Sequence, residues 1–389
     1  MNSVTIAFLA DIYARYGKGN EIGYIVEAAS KVGLPCDVYL RSIEKSEKNS
    51  IKTKPVKLSN ATLMGNVLYR ILSATERFIL PSFRSRLYQN VLFDISVAKK
   101  ISEKKGIFYG VPGMWRTFKA AKKKGLITVL HAAELHPNYN KKMLFDVYKD
   151  NKLYPSIWDM AYIKQSLEAL KYVDKVICHS DFSRETYLDE GFKKSDVFFV
   201  PMAHSVLNEC FKERVYSPEG KLRCLFVGNI TKVKGVDVIL KAFKKLPVEN
   251  FQLDLCGRIH RDMEDDIREI KNASNITFHN YVLPEPFFEK CDIFVYPSLS
   301  DSYAKVVAEA AAFGMVPLVT RMCNAALVVD GLSGLYVKPS CEDLIDKLIF
   351  LQKNRDLIQR FGEEAQRRAI PLTWENFGVN TIACLRDML

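Results

Sequence analysis

The sequence predicts an α/β protein of two domains, each a doubly wound parallel sheet, and three observations carry that prediction. Short apolar runs recur along the 389 residues, and helix-length segments separate them. Such alternation marks βαβ units, whose helices cover both faces of a parallel sheet. The length exceeds one ordinary core and fits two domains of common size. A polar stretch with Pro and Gly near residues 205–221 divides the alternation into two halves.

The elements follow in order. The first half opens with strand VTIAFLA, then a loop bearing Gly17 and Gly19, helix NEIGYIVEAASKVG and strand CDVYLRS. Strand GIFYG, a helix up to Lys124, strand LITVLHA, a long helix past Asp159 and strand KVICHS complete it. The second half runs through strand KLRCLFVGN, helix VDVILKAFKKL, strand FQLDLCG, helix DMEDDIREIKN and strands ITFHNYV and CDIFVYP. A short Ala-rich helix after Ser302, stopped by Gly314, then leads into strand MVPLVT. Residues 1–205 and 216–368 are the expected Rossmann-like domains. Residues 369–389, containing WENFGVNTIACLRDML, form a terminal helix expected to pack back toward the first domain.

Composition narrows the function classes. Hydrophobic residues make up 48% and charged residues 26%, the balance of a globular protein. No run approaches the roughly 20 apolar residues that span a bilayer. The start, MNSVTIAFLADIY, lacks the basic opening and apolar core of a signal peptide and reads as a first strand. Nine cysteines lie without metal-ligand spacing, several of them (Cys224, Cys256, Cys291) inside predicted strands. Buried thiols in a reducing cytoplasm, with no zinc site, account for them.

The net charge of +11 points to an acidic partner. Nucleic acid is not expected, because no helix-turn-helix, RNA-recognition or zinc-finger signature is present. Between Lys52 and Lys124 the cations include Arg70, Arg77, Arg84, Arg86, Lys99, Lys100 and the run Lys122 to Lys124. The segment NVLYRILSATERFILPSFRSRLY mixes these arginines with Leu, Ile, Phe and Tyr. It suits either an anionic membrane surface or a helix packed by its apolar side onto the core.

The richest chemistry lies in PSLSDSYAKVVAEAAAFGMVPLV, where seven residues separate Asp301 from Glu309 around a strand-to-helix junction. Ligands of open parallel sheets sit beyond the carboxyl ends of the strands, where such junctions lie. Asp301 alone could serve as a helix cap. Glu309 sits among Val306, Val307, Ala308, Ala310, Ala311 and Ala312, a setting in which an ionised group calls for a partner. Upstream, FVGN leads through ITKVKG into a helix, so Gly228, Asn229 and Lys234 precede a helix N-terminus. That arrangement offers backbone N–H groups and a point charge to a phosphate. Together the two stretches read as a site for a diphosphate and sugar hydroxyls.

These features resemble family 4 (group 1) retaining glycosyltransferases. The resemblance rests on FVGN-x4-KG, the Asp301/Glu309 pair, the following AxAxxxGxxP pattern and DGLSGLYV. VDKVICHSDFSRETYLDEGF and PMAHS, where the family often has Pro-Asn-Gly, extend it upstream. It covers residues 172–350 well and the N-terminal half loosely. It implies a GT-B fold, two Rossmann-like domains with parallel sheets facing a central cleft, and a retaining, metal-independent hexosyltransferase with no cofactor. The donor it implies is a nucleoside diphosphate sugar, UDP or GDP. Glu309 would bind the ribose, Lys234 the diphosphate, and Asp301 would lie near the reacting end of the sugar. Gly228, Asn229, Ser302, Tyr303, Ala304, Gly17 and Gly19 would line the donor.

The sequence departs from the pattern at named places. Asp301 stands where the family has a first glutamate, and Asn229 where it has a diphosphate-binding arginine. Ser302-Tyr303-Ala304 replaces Gly-aromatic-Gly, and RMCNAALVVD is a shortened loop without the usual glycines and glutamate. In the first half, LITVLHAAELHPNY places His131, Glu134 and His136 beyond a strand end. The family often has a histidine there that touches sugar or acceptor, so His131 and His136 are catalytic candidates and Glu134 an acceptor-side one.

The expected activity is transfer of a sugar to a glycan or lipid-linked acceptor in polysaccharide or glycoconjugate assembly. The expected place is the cytoplasm, peripheral to a membrane. The alternatives are a catalytically silent relative acting as a binding subunit and another nucleotide-sugar enzyme such as an epimerase.

Overall fold

The computed structural model describes residues 3–12, 20–43, 56–60, 85–102, 105–149, 157–204, 214, 216, 219–270, 273–301 and 303–389. The chain divides into two compact units. Unit one holds residues up to His179, Ser183–Val200 and Trp374–Leu389; unit two holds Ser180–Phe182 and Pro201–Thr373.

Unit one is built on a parallel sheet of seven strands. They are β1 (Ser3–Ile12), β2 (Cys36–Ile43), β3 (Val56–Asn60), β4 (Gly106–Gly110), β5 (Ile127–Ala132), β6 (Lys175–Cys178) and β7 (Val197–Phe199). Their order is β3-β2-β1-β4-β5-β6-β7, so the winding reverses between β1 and β4. Helix Trp374–Arg386 belongs to this unit and packs on helix Asn20–Lys31. The rings of Tyr24 and Trp374 stack there with centroids 6.4 Å apart. Gly378 lets the two backbones meet, since a Cβ on it would stand 2.4 Å from the Tyr24 carbonyl oxygen.

Unit two repeats the scheme with six parallel strands. These are β8 (Leu222–Val227), β9 (Phe251–Cys256), β10 (Ile276–Phe278), β11 (Ile293–Tyr296), β12 (Val316–Val319) and β13 (Leu335–Tyr336). The order is β10-β9-β8-β11-β12-β13, with reversal between β8 and β11. Every residue of β11 and β12 is buried, as a sheet covered by helices on both faces requires. Helix Val236–Lys245 shows how that cover forms. Val236, Ile239, Leu240, Ala242 and Phe243 make one apolar stripe into the core, while Lys241, Lys244 and Lys245 stay outside.

Several elements differ from the sequence reading. DMEDDIREIKN begins as a 3₁₀ turn, Arg261–Met263, and its helix covers only Glu264–Glu269. ITFHNYV pairs only over Ile276–Phe278, and Asn280 turns the chain at φ 52°. Strand β3 is the polar VKLSN and β7 the apolar but only three-residue VFF, and the sequence reading includes neither. The basic apolar segment at 66–88 lies mostly outside the described residues, as do Gly17, Gly19 and Ser302. Among the described residues no helix is long and apolar enough to cross a membrane.

Candidate active site

The reversal between β8 and β11 brings the loops after these strands to the carboxyl end of the sheet, where an open α/β sheet takes its ligand. After β8 the chain passes Gly228, Asn229 and Ile230 and enters a 3₁₀ turn, Lys232–Lys234. Thr231 caps the turn, its hydroxyl accepting the Lys234 amide at 3.3 Å. Gly235 then takes a left-handed conformation, φ 69°, and helix Val236–Lys245 starts. A Cβ on Gly235 would lie 2.2 Å from the carbonyl oxygen of Pro297, so glycine is required both for the conformation and for the approach of the β11 loop.

The loops after β8, β11 and β12 are laced together. Leu299 donates its amide to the Val233 carbonyl at 2.9 Å, and the Ser298 hydroxyl donates to the Ser300 carbonyl at 2.9 Å. Thr320 donates its hydroxyl to the Ser298 carbonyl. Asp301 donates its amide to Met322 O at 3.2 Å and accepts Asn324 Nδ2 on its own carbonyl at 2.6 Å. Asn324 sits at φ 59°, a region asparagine tolerates.

This frame fixes a charged cluster. Lys234 Nζ donates to Asp301 Oδ2 at 2.5 Å and to the Ser300 carbonyl at 3.1 Å. The Tyr296 hydroxyl donates to the same Asp301 oxygen at 2.6 Å, and the lysine ammonium stands 5.7 Å from the Tyr296 ring centre. Burial, then the Asp301 charge, pushes the Tyr296 phenol well above its usual range, so it stays a donor. Lys234 is therefore held by a carboxylate of its own domain rather than standing open, a pairing that sequence spacing does not show. Tyr296 and Asn324 are further members that sequence reasoning missed. Tyr296 closes an apolar strand and reads as core, and only its hydroxyl belongs to the site.

Glu309 lies one turn into helix Lys305–Ala312, half-buried among buried Val307, Ala308, Ala310, Ala311 and Ala312. Its carboxylate takes no hydrogen bond among the described residues. Burial raises its pKa; Lys305, one turn back, lowers it and Glu285 raises it further. Tyr303 is buried, and its hydroxyl has no hydrogen-bond partner among the described residues. Burial raises the pKa of this phenol, with added contributions from Cys323 and Glu309. Ala304, also buried, precedes the helix without a side-chain cap. DGLSGLYV closes a turn in which Asp330 accepts the Tyr336 amide at 2.8 Å.

In unit one the histidines are interior groups. His131 is fully buried, sharing a 2.6 Å hydrogen bond with the Tyr109 hydroxyl, its ring centre 4.5 Å from that of His179. His136 is 3% exposed and caps helix Pro137–Val147 through Nδ1, which accepts the Asn138 amide at 3.2 Å. Its ring packs on Tyr187 at 5.1 Å, and burial lowers its pKa. Both rings are therefore buried and held by protein partners, His131 at the end of β5 and His136 at the start of the next helix. Glu134 accepts a hydrogen bond from the Tyr162 hydroxyl at 3.3 Å, and burial raises its pKa.

Comparison with known proteins places this geometry. Residues 208–368 match the sequence profile of glycosyl transferases group 1. The chain is 28% identical over 207 residues to an uncharacterized glycosyltransferase of Methanocaldococcus jannaschii, covering 52% of this chain and 56% of that protein. It spans about half the length of the first curated relatives it matches. Among solved structures, WaaG, a glycosyltransferase involved in lipopolysaccharide biosynthesis, superposes with TM-score 0.63 at 17% identity, covering 98% of this chain and 99% of that one. HepE of Anabaena, in complex with UDP and glucose, superposes with TM-score 0.61 at 13% identity, covering 99% and 100%. The fold is GT-B.

Proposed function

We propose that the protein is a retaining glycosyltransferase that moves a hexosyl group from a nucleoside diphosphate sugar to a glycan or lipid-linked acceptor. The observation that carries this reading is the Lys234–Asp301–Tyr296 cluster at the β8/β11 reversal, beside a helix N-terminus and one short helix from Glu309. A diphosphate leaving group needs positive charge, which Lys234 and the amides opening helix Val236–Lys245 supply without a metal ion. Asp301, loosened from Lys234 by the arriving diphosphate, faces the cationic sugar carbon. Glu309 accepts hydrogen bonds from the ribose hydroxyls. Asn229 and the backbone of Gly228, Tyr303 and Ala304 border the donor. His131 and His136 hold the loop between them in shape, and Glu134 lies on the acceptor side.

The basic first half suits an anionic or lipid-linked acceptor at the cytoplasmic side of a membrane, and the likeness to WaaG supports a role in polysaccharide or glycoconjugate assembly. The test is a product assay on the full chain with UDP- and GDP-hexoses and lipid-linked or oligosaccharide acceptors. Release of nucleoside diphosphate with a new glycosidic bond supports the reading, and retention of anomeric configuration supports the retaining assignment. Epimerised donor, or nucleotide-sugar binding without turnover by wild type, overturns it.

A second reading, a silent binding subunit, draws on the same pair. Asp301 and Lys234 form an ion pair with one another, so each charge already has a partner within the domain. Binding of a nucleotide sugar that Asp301→Ala leaves as tight, with no transfer by wild type, favours it.

A further inference from the structure

The parallel ladder between β8 and β9 continues past the ends of both strands. Val227 pairs with Cys256, and an isolated bridge joins Ile230 to Ile259. Between these two fixed points Gly228 falls beside Gly257, and Asn229 beside Arg258. The glycine pair is a close backbone contact: a Cβ on Gly257 would stand 1.8 Å from the Gly228 carbonyl oxygen. Gly228 donates its amide to Cys256 O at 2.9 Å, and Ile230 donates to Arg258 O at 2.9 Å. The backbone that carries Arg258 is thus anchored to the loop that leads to Lys234.

Three lysines nearby are already engaged: Lys232 with Asp266, Lys234 with Asp301, Lys241 with Asp237. Arg258 differs. It is exposed, and its guanidinium makes no ion pair or hydrogen bond among the described residues. Asn229, exposed beside it, is too short and uncharged to replace a guanidinium. A planar cation on an anchored backbone, next to a glycine-bearing turn and a helix N-terminus, suits an anion with several oxygens.

We propose that Arg258 supplies, from the neighbouring strand end, the guanidinium contact to the donor diphosphate that Asn229 does not make. This rests on the donor reading above and deepens it. Arg258 is a binding and positioning residue on this account, and its contribution goes to the phosphates and not to the nucleoside.

Titration calorimetry on the full chain, with UDP and GDP against uridine and guanosine, tests it. Arg258→Ala should weaken binding of the accepted nucleoside diphosphate about tenfold or more. Nucleoside affinity and the thermal midpoint without ligand should stay unchanged. Arg258→Lys should recover part of the loss, and adding Asn229→Arg to Arg258→Ala should recover most of it, because the two positions adjoin. If wild type binds a nucleoside diphosphate and Arg258→Ala binds it as tightly, the arginine assignment fails while the donor reading stands. Equal losses for nucleoside and diphosphate also overturn it. If wild type binds neither UDP nor GDP, both readings fall together.

Discussion

Lys234 and Asp301 meet across the reversal of the second sheet, Nζ 2.5 Å from Oδ2, and Tyr296 donates to the same carboxylate oxygen. The pair joins two loops that are 67 residues apart in sequence, and it makes each partner's substitution informative about the other.

Lys234→Ala should weaken nucleoside diphosphate binding by roughly ten- to a hundredfold, the loss of a charge-assisted contact worth about 1.5–3 kcal/mol. Asp301→Ala should leave that affinity equal or higher, because the diphosphate no longer competes for the ammonium, while transfer falls steeply. Calorimetry and turnover on the same preparations give this split. Equal losses in binding for both variants would remove the proposed division of roles.

Tyr296→Phe leaves the ring and deletes the hydroxyl. With its phenol donor gone, Asp301 keeps Lys234 but loses a hydrogen bond to a charged group, about 1.5–3 kcal/mol. Urea unfolding of the full chain should show a lower midpoint with an unchanged slope.

Glu309 gives a pH signature of known sign. Burial raises its pKa above the ordinary 4.5. As an acceptor of ribose hydroxyls it works ionised, so uridine or guanosine affinity should rise with pH through the raised value, and Glu309→Gln should flatten the profile. The unliganded fold responds oppositely. A carboxyl with a raised folded pKa contributes stability below its unfolded value and loses it as pH climbs through the folded value. Thermal midpoints of wild type and Glu309→Gln across that interval test the second sign.

Gly235→Ala places a Cβ in a left-handed residue and against the Pro297 carbonyl. The conformational strain alone costs about 1–2 kcal/mol. The contact adds to it, since the Pro297 carbonyl is backbone and a Cβ is fixed rigidly to its own, so neither swings aside. A lowered thermal midpoint together with weaker diphosphate binding is expected, because the shifted loop carries Lys234.

Much of the second unit was legible in the sequence. The runs LRCLFV, FQLDLC and IFVY are apolar enough to mark buried parallel strands, and the Gly235 turn announces the helix after them. Asp301, Glu309 and Lys234 could be picked out because charge beside such strand ends has few structural uses. Strand VKLSN was not legible because it is polar and forms by pairing with a neighbour, and VFF, though apolar, is too short to stand out as an element. The burial of the histidines was not legible for a related reason. A polar ring just past an apolar strand looks available in sequence, yet His131 finds Tyr109 and His136 finds a helix N-terminus.

By itself the sequence determined the two α/β halves, the glycine turn that precedes a helix, and the carboxylates set around a strand-to-helix junction. These are local properties, fixed by side-chain pattern and backbone freedom over a few residues. Only the tertiary structure decided which groups meet. It joined Lys234 to Asp301 and Tyr296, set Arg258 beside Asn229, and folded both histidines inward. Those outcomes depend on strand order and register, which bring distant segments to one sheet end, and no local spacing encodes them.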